Sequence, residues 1–312
     1  MSDKPTLSVI LVADTFETVR ETIEYLDRQT ARDRLELVIA TRSREEFALD
    51  ERACAGFHFT HVVEVESITL VQPPRAAAIR AARAPLVLIA ETHSFPEPES
   101  LEALIERHRE PWKVVGQVIL NGNPGSAMSW ANVLMDYGSQ LEGAPGGQVG
   151  RIASHNASYK RAALLEVDNE LERLLKAGDT LHEALVARGG RLFLEERART
   201  AHVNVSRPGS WIRERLAAGK AFAGHRAEGW PAPRRALYVL GAPLIPIVRF
   251  ARIRRYRGRT TLPSHMAPRL YPALFAGLCV SAFGELLGYA FGVGTSLRTI
   301  SEMELHRTPH LR

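Results

Sequence analysis

Leu7-Ser-Val-Ile-Leu-Val-Ala13 decides how the rest of the chain is read. The run is apolar and β-branched, and it is too short to make a helix of its own. It does not alternate with polar residues, so it reads as a strand buried on both faces. Asp14-Thr15 follows as a helix cap, and Val19, Ile23 and Leu26 recur at helical spacing. Leu35-Glu-Leu-Val-Ile-Ala-Thr41 is a second buried strand. Strand, helix and strand in this order make a βαβ unit, and therefore a parallel sheet.

The same alternation continues outward. Thr69 to Gln72 reads as a third strand and Ala76 to Arg83 as a short helix. Pro85 to Ala90 is another buried strand, ending abruptly in Glu91-Thr92-His93-Ser94. A helix through Leu101, Leu104 and Ile105 follows Pro96 and Pro98. Lys113 to Leu120 reads as a strand, Asn121 to Ser126 as a loop and Met128 to Leu141 as a helix. Gly143 to Gly150 reads as a mobile glycine-rich loop. Leu181 to Arg188 is a helix stopped by Gly189-Gly190, and Arg191 to Leu194 begins a last strand that leads to His202.

The chain has 312 residues, of which 45% are hydrophobic and 24% charged, enough for one large core and an appendage. Cys54 and Cys279 are its only cysteines, so no disulfide framework or thiolate zinc site is implied. That usage suits a reducing compartment. Met1 to Pro5 is polar, with no apolar signal segment, which places the bulk of the protein in the cytoplasm as an expectation.

From about Trp230 the character changes. The expected organisation is a domain over 1–228 and a helical, membrane-associated tail over 229–312. Leu237 to Phe250 is apolar but interrupted by Pro243 and Pro246, and it is shorter than a bilayer requires. Arg249, Arg252, Arg254, Arg255, Arg257 and Arg259 follow within one short stretch, and the net charge is +5. Arginines beside apolar segments fit the cytoplasmic face of a cell membrane. They lack the interleaved aromatics or binding motif that nucleic acid requires, so that partner is excluded. Leu270 to Val293 is long enough to span and carries one charge, Glu285. Gly284, Gly288 and Gly292 form a small-residue face that would let two copies pack as a homo-oligomer. The alternative for the tail is two buried helices of a soluble domain, or a soluble enzyme whose tail only dimerises.

In open α/β sheets ligands bind at the carboxyl ends of the strands. No Gly-x-Gly-x-x-Gly follows the first strand, no Gly-Lys-Ser/Thr P-loop is present, and no Gly-x-Ser-x-Gly elbow appears. Over roughly residues 6 to 205 the sequence resembles the family 2 glycosyltransferases. Leu7 to Ala13 is similar to their opening strand. Arg75-Ala-Ala-Ala-Ile79 resembles their Arg-Asn-x-Gly-Ile element, and Glu91-Thr-His93 stands where they carry an Asp-x-Asp metal motif. His155-Asn156-Ala-Ser-Tyr-Lys-Arg161 resembles the segment ahead of their acceptor site. Gly178-Asp179-Thr-Leu-His-Glu183 with Ala187-Arg-Gly189 is similar to their Glu-Asp helix start and Arg-Gly helix end. Ala201-His202 resembles the strand end that supplies a further metal ligand.

The resemblance implies an α/β fold of the GT-A type, a Rossmann-like mixed sheet. It implies hexosyl transfer with inversion, from a nucleotide-diphosphate sugar to a lipid-linked or envelope glycan acceptor. The leaving group of such a transfer is dianionic and needs a divalent cation or cationic side chains beside it. By this resemblance Glu91, His93 and His202 would hold Mn²⁺ or Mg²⁺, and Asp179 would be the catalytic base. Ala13, Asp14, Thr41, Arg75 and Glu91 would line the donor, and His155, Asn156 and Trp211 would face the acceptor. Three departures accompany it: Glu91-Thr-His93 for Asp-x-Asp, Ala40-Thr41 where an acidic residue contacts the base, and Gly178-Asp179 for Glu-Asp. They keep open a rival reading, a GT-A fold that binds nucleotide sugars without transferring them. Asp179 also has an ordinary use, because Thr180-x-x-Glu183 is a passable capping box at a helix start. The helix after Arg207-Pro-Gly-Ser-Trp211 reads either as a basic approach to a lipid phosphate or as an amphipathic helix with Ile212, Leu216 and Phe222 packed inward.

Overall fold

A computed structural model describes residues 4–176, 178–254, 256 and 264–312. Arg255, Arg257 and Arg259 of the basic stretch lie outside the described residues. By packing, the chain divides into two compact units. The first comprises Met1–Leu120 and Ala144–His202, and the second Asn121–Gly143 and Val203–Arg312. This division lies elsewhere than the 228/229 boundary expected from composition, because the segment from Val203 to Glu228 belongs with the tail.

The first unit is built on one mixed sheet. Its elements in chain order are β1 (Leu7–Val12), α1 (Phe16–Asp27), β2 (Leu35–Thr41), α2 (Arg44–Phe47), β3 (Phe59–Glu64), α3 (Gln72–Ala81), β4 (Leu86–Ile89), β5 (Ser94–Pro96), α4 (Ser100–Arg107) and β6 (Val114–Asn121). The second unit contributes α5 (Ala127–Tyr137). The first unit resumes with β7 (Gly147–Val149), β8 (Ala157–Lys160), α6 (Arg161–Leu165), α7 (Leu171–Leu174), α8 (Gly178–Ala187) and β9 (Leu192–His202). The strand order is β3-β2-β1-β4-β8-β6-β9-β5, with β7 paired to β9.

Strands β3, β2, β1 and β4 run parallel, as the opening βαβ reading requires. Every residue of β1, β2 and β4 is buried, which is why their sequences show no alternation. β8 is antiparallel to both β4 and β6, so the sheet is mixed beyond the parallel half. Two expectations are corrected here. The third strand is Phe59–Glu64, while Gln72 opens α3. β3 is an edge strand with only Val62 buried, so it lacks the apolar run that marks its neighbours. Pro73 and Pro74 lack the N–H a ladder needs and suit the first turn of a helix. The glycine-rich segment is also not a free loop, since Gly147 to Val149 pair with Leu194 to Leu192 of β9.

The second unit is helical: α5, then α9 (Pro208–Arg226), α10 (Ala232–Gly241), α11 (Ile245–Ile253), α12 (Ala267–Phe291) and α13 (Ser296–Leu305). Small residues organise it. A Cβ added at Gly284 would meet the backbone at Leu216, one at Gly288 the backbone at Lys220, and one at Gly219 the backbone at Ser281. Helices α9 and α12 therefore approach backbone to backbone. The Gly284 and Gly288 face is consumed within the chain and is not available to a second copy, which corrects the oligomer expectation. Gly292 instead ends α12 with φ +75° and ψ −170°, a conformation open to glycine. The inward face of α9 carries Trp211, Arg215, Ala217, Ala221 and Ala223, while Ile212 is exposed. The expected apolar face is thus displaced, because close approach to α12 selects small side chains over large ones.

Glu285 is buried on α12 and ion-paired with Arg249 of α11 at 2.6 Å. Two helical stretches, Ala232–Ile253 and Ala267–Phe291, are long and apolar enough to cross a membrane by length and composition. The first corrects the shorter reading of Leu237 to Phe250. Pro243 and Pro246 fall in a 3₁₀ turn and a first helical turn, so they do not break the helical path.

Candidate metal and nucleotide-sugar site

Three strand registers assemble the site. β4 ends at Ile89, and Ala90 and Glu91 leave its carboxyl end. β5 pairs antiparallel with β9 so that Ser94 lies opposite His202. That register carries His202 to His93 across 109 positions of sequence. β8 pairs with β4 so that Ala157 lies opposite Ile89, and the Asn156 N–H donates to the Ile89 carbonyl at 2.7 Å. Asn156 adopts φ +53°, which turns the chain into β8 beside Glu91. Asparagine tolerates this left-handed conformation better than most residues.

Glu91, His93 and His202 are all buried. Their ligand atoms lie within 4.8 Å of one another. His93 Nε2 is 3.2 Å from His202 Nε2, His202 Nε2 is 3.4 Å from Glu91 Oε2, and His93 Nε2 is 3.9 Å from Glu91 Oε1. Ligands about 2.1 Å from one ion, meeting at tetrahedral or square angles, stand about 3.0–3.5 Å apart. The first two separations lie in that range and the third, to the other Glu91 oxygen, lies outside it, so a shared divalent cation needs a small closure of His93 toward Glu91. One carboxylate oxygen and two imidazole nitrogens suit Mn²⁺ or a neighbouring transition metal, whereas Mg²⁺ keeps to oxygen.

The carboxylate is held from behind. Ser94 Oγ donates to Glu91 Oε2 at 3.1 Å and Asn156 Nδ2 donates to the same oxygen at 2.7 Å. Gln117 Nε2 donates to the Asn156 carbonyl at 3.2 Å, which fixes Asn156 in turn. Such partners orient a ligand and tune it. His155 Nδ1 lies 4.0 Å from Glu91 Oε1. Burial alone would raise the Glu91 carboxyl, but His155, His93, His202 and Arg75 hold it well below the usual carboxylate range.

The other expected residues are placed as follows. Ala13 is buried just past β1. Asp14 Oδ1 accepts from the Thr15 N–H at 2.8 Å and from Thr18 Oγ1 at 2.7 Å, but α1 has Thr15 at its N-cap with no side-chain cap hydrogen bond, so the capping read from sequence is not made. Thr41 ends β2 and is buried, and its Oγ1 has no hydrogen-bond partner among the described residues. Arg75 lies in the first turns of α3, close enough for its charge to act on Glu91. Asp179 opens α8 and is ion-paired with Arg151, at 2.9 Å to Nε and 2.8 Å to Nη2. Thr180 lies within α8, and its Oγ1 donates to the Leu174 carbonyl at 3.1 Å. Trp211 belongs to the second unit, where it is buried and donates through Nε1 to Asn132 Oδ1 at 2.7 Å. Sequence reasoning missed Ser94 and Arg151. A serine next to His93 in a three-residue strand carries no periodic signal, and Arg151 is 28 positions from Asp179.

A mixed sheet of this order resembles solved structures at the level of the fold. The mannosyltransferase PcManGT from Pyrobaculum calidifontis, solved with GDP-Man and Mn²⁺, matches over 97% of this chain and 88% of its own, with a TM-score of 0.52 at 14% identity. The fold is that of the GT-A glycosyltransferases. S. aureus TarS 1–349 in complex with UDP is also similar, with a TM-score of 0.47 at 16% identity over 97% of this chain and 92% of that one. Against the longer TarS structure, which has a TM-score of 0.47 at 15% identity over 91% of this chain, the chain spans 55% of the length. No protein-family model matches the chain. No curated protein sequence matches it either.

Proposed function

We propose that the protein is a metal-assisted glycosyltransferase. It moves a hexosyl group, with inversion, from a nucleotide-diphosphate sugar to a lipid-linked or envelope glycan acceptor at the cytoplasmic face of the cell membrane. The observation that carries the reading is the convergence of Glu91, His93 and His202 in a sheet of glycosyltransferase fold. When bound there, a divalent cation supplies positive charge for the diphosphate leaving group. Ser94 and Asn156 keep the Glu91 carboxylate oriented. Arg75 brings a second positive charge to the same neighbourhood, and Thr41 offers a hydroxyl at the β2 end for the nucleoside. Asp179 is the candidate base for the acceptor hydroxyl, with Arg151 holding it in place.

A screen of UDP- and GDP-sugars with membrane fractions, with and without Mn²⁺, tests the reading. Turnover of at least one donor that depends on Mn²⁺ is expected, and no turnover of any donor would overturn it. One observation favours a second reading: both Asp179 carboxylate oxygens are engaged by the Arg151 guanidinium. A protein that binds nucleotide sugars without transferring them would then show calorimetric binding with no product.

A further inference from the structure

Helix α10, the 3₁₀ turn Ala242–Leu244 and α11 form one rod from Ala232 to Ile253. Leu237, Leu240, Leu244, Ile247 and Val248 are each 55–79% exposed along it. They recur three and four positions apart, so they form one stripe. Soluble surfaces carry single apolar side chains, whereas a stripe in register marks a contact. Its surroundings say what kind. Between Glu228 and Glu285 the sequence has nine arginines and no acidic residue. Among these, Arg234 precedes the stripe and Arg252 and Arg254 follow it, all exposed.

We propose that this stripe lies in the headgroup–acyl boundary of one leaflet of an anionic phospholipid membrane, with the rod in the plane of the surface. The apolar side chains enter the leaflet, and the arginines reach up to lipid phosphates along their methylene stems. Crossing is disfavoured by charge, because a spanning rod would draw Arg235 or Arg249 into the hydrocarbon core. Arg235 and Arg249 enclose 13 residues, about 20 Å of helix at 1.5 Å per residue, against a hydrocarbon core of about 30 Å. Helix α12 is long enough, but its glycine face is packed on α9, which carries Arg213, Glu214, Lys220 and Arg226. Hydrocarbon could not surround α12 without also taking in those charges.

The inference rests on the membrane placement proposed above but not on turnover. The full-length protein is sedimented with phosphatidylglycerol–phosphatidylcholine vesicles and with phosphatidylcholine alone. Binding at least tenfold tighter to the anionic vesicles is expected, weakened by 0.5 M salt and lost in the surface variant Leu240→Glu/Ile247→Glu with its thermal melt unchanged. Depth is read in a Cys279→Ser background, Cys54 being buried. Bimane is attached at Leu237→Cys, Leu244→Cys or Val248→Cys and quenched by doxyl lipids. Equal shallow quenching at all three is expected. No binding to any vesicle would overturn both the in-plane docking and the membrane placement, while leaving donor turnover as a separate result. Binding with graded depths from Leu237 to Val248 would overturn the in-plane docking alone.

Discussion

His93 and His202 face each other through their Nε2 atoms at 3.2 Å, although 109 positions separate them in sequence. Two protonated ring nitrogens would repel at that distance. The pair is satisfied either by one donating to the other or by both turning lone pairs to a cation. Glu91, with its oxygens 3.4 and 3.9 Å away, adds an anionic third donor beside the pair.

Removing a ligand should therefore remove the metal. Glu91→Ala and His202→Ala are expected to abolish stoichiometric Mn²⁺ binding in titrations followed by electron paramagnetic resonance. Asn156→Ala and Ser94→Ala remove only the groups behind Glu91. Those variants should bind Mn²⁺ about 10–100-fold more weakly and keep their fold.

Asp179 and Arg151 give a test of catalysis apart from binding. If Asp179 takes the acceptor proton, Asp179→Asn should lower kcat by about 10²-fold or more with donor affinity unchanged in calorimetry. Equal loss of donor affinity would assign Asp179 to binding instead.

The contact between α9 and α12 is expected to be intolerant of side chains. Gly288→Val would drive carbon into the Lys220 carbonyl, the Ala223 side chain and the Gly224 nitrogen, and overpacking of this kind costs about 1–3 kcal/mol or more. Chemical denaturation should show that loss. The oligomeric mass should not change, since the face is occupied by the chain itself.

Burial lowers His108 to about pH 4, even though its ring bonds Ser158 Oγ and the Trp112 carbonyl. The folded pKa lies below the unfolded value of about 6.5, so the unfolded chain binds the extra proton first. The stability from keeping His108 neutral is present above about pH 6.5 and is lost as pH falls towards 4. The slope is about 1.4 kcal/mol per pH unit for this one group. His108→Gln should flatten the decline measured by urea denaturation between pH 6.5 and 4.

The parallel half of the sheet was legible because β1, β2 and β4 are buried on both faces and read as unbroken apolar runs. β3 was not, since an edge strand with one buried residue has no such run. Glu91, His93 and His202 were legible as polar residues at strand ends. What joined them was a long-range register, Ser94 opposite His202, which no local pattern encodes. The glycines of α12 were read as a contact surface, and they are one. Only the structure shows that the partner is α9, because that depends on Gly219 and Ser281 meeting across two helices.

The shared cation site is tested most directly by anomalous scattering at the manganese edge from crystals grown with Mn²⁺ and a nucleoside diphosphate. One peak within coordination distance of a Glu91 carboxylate oxygen, His93 Nε2 and His202 Nε2 is the expected result. Nucleotide bound at the strand ends with no manganese between these three side chains would contradict it.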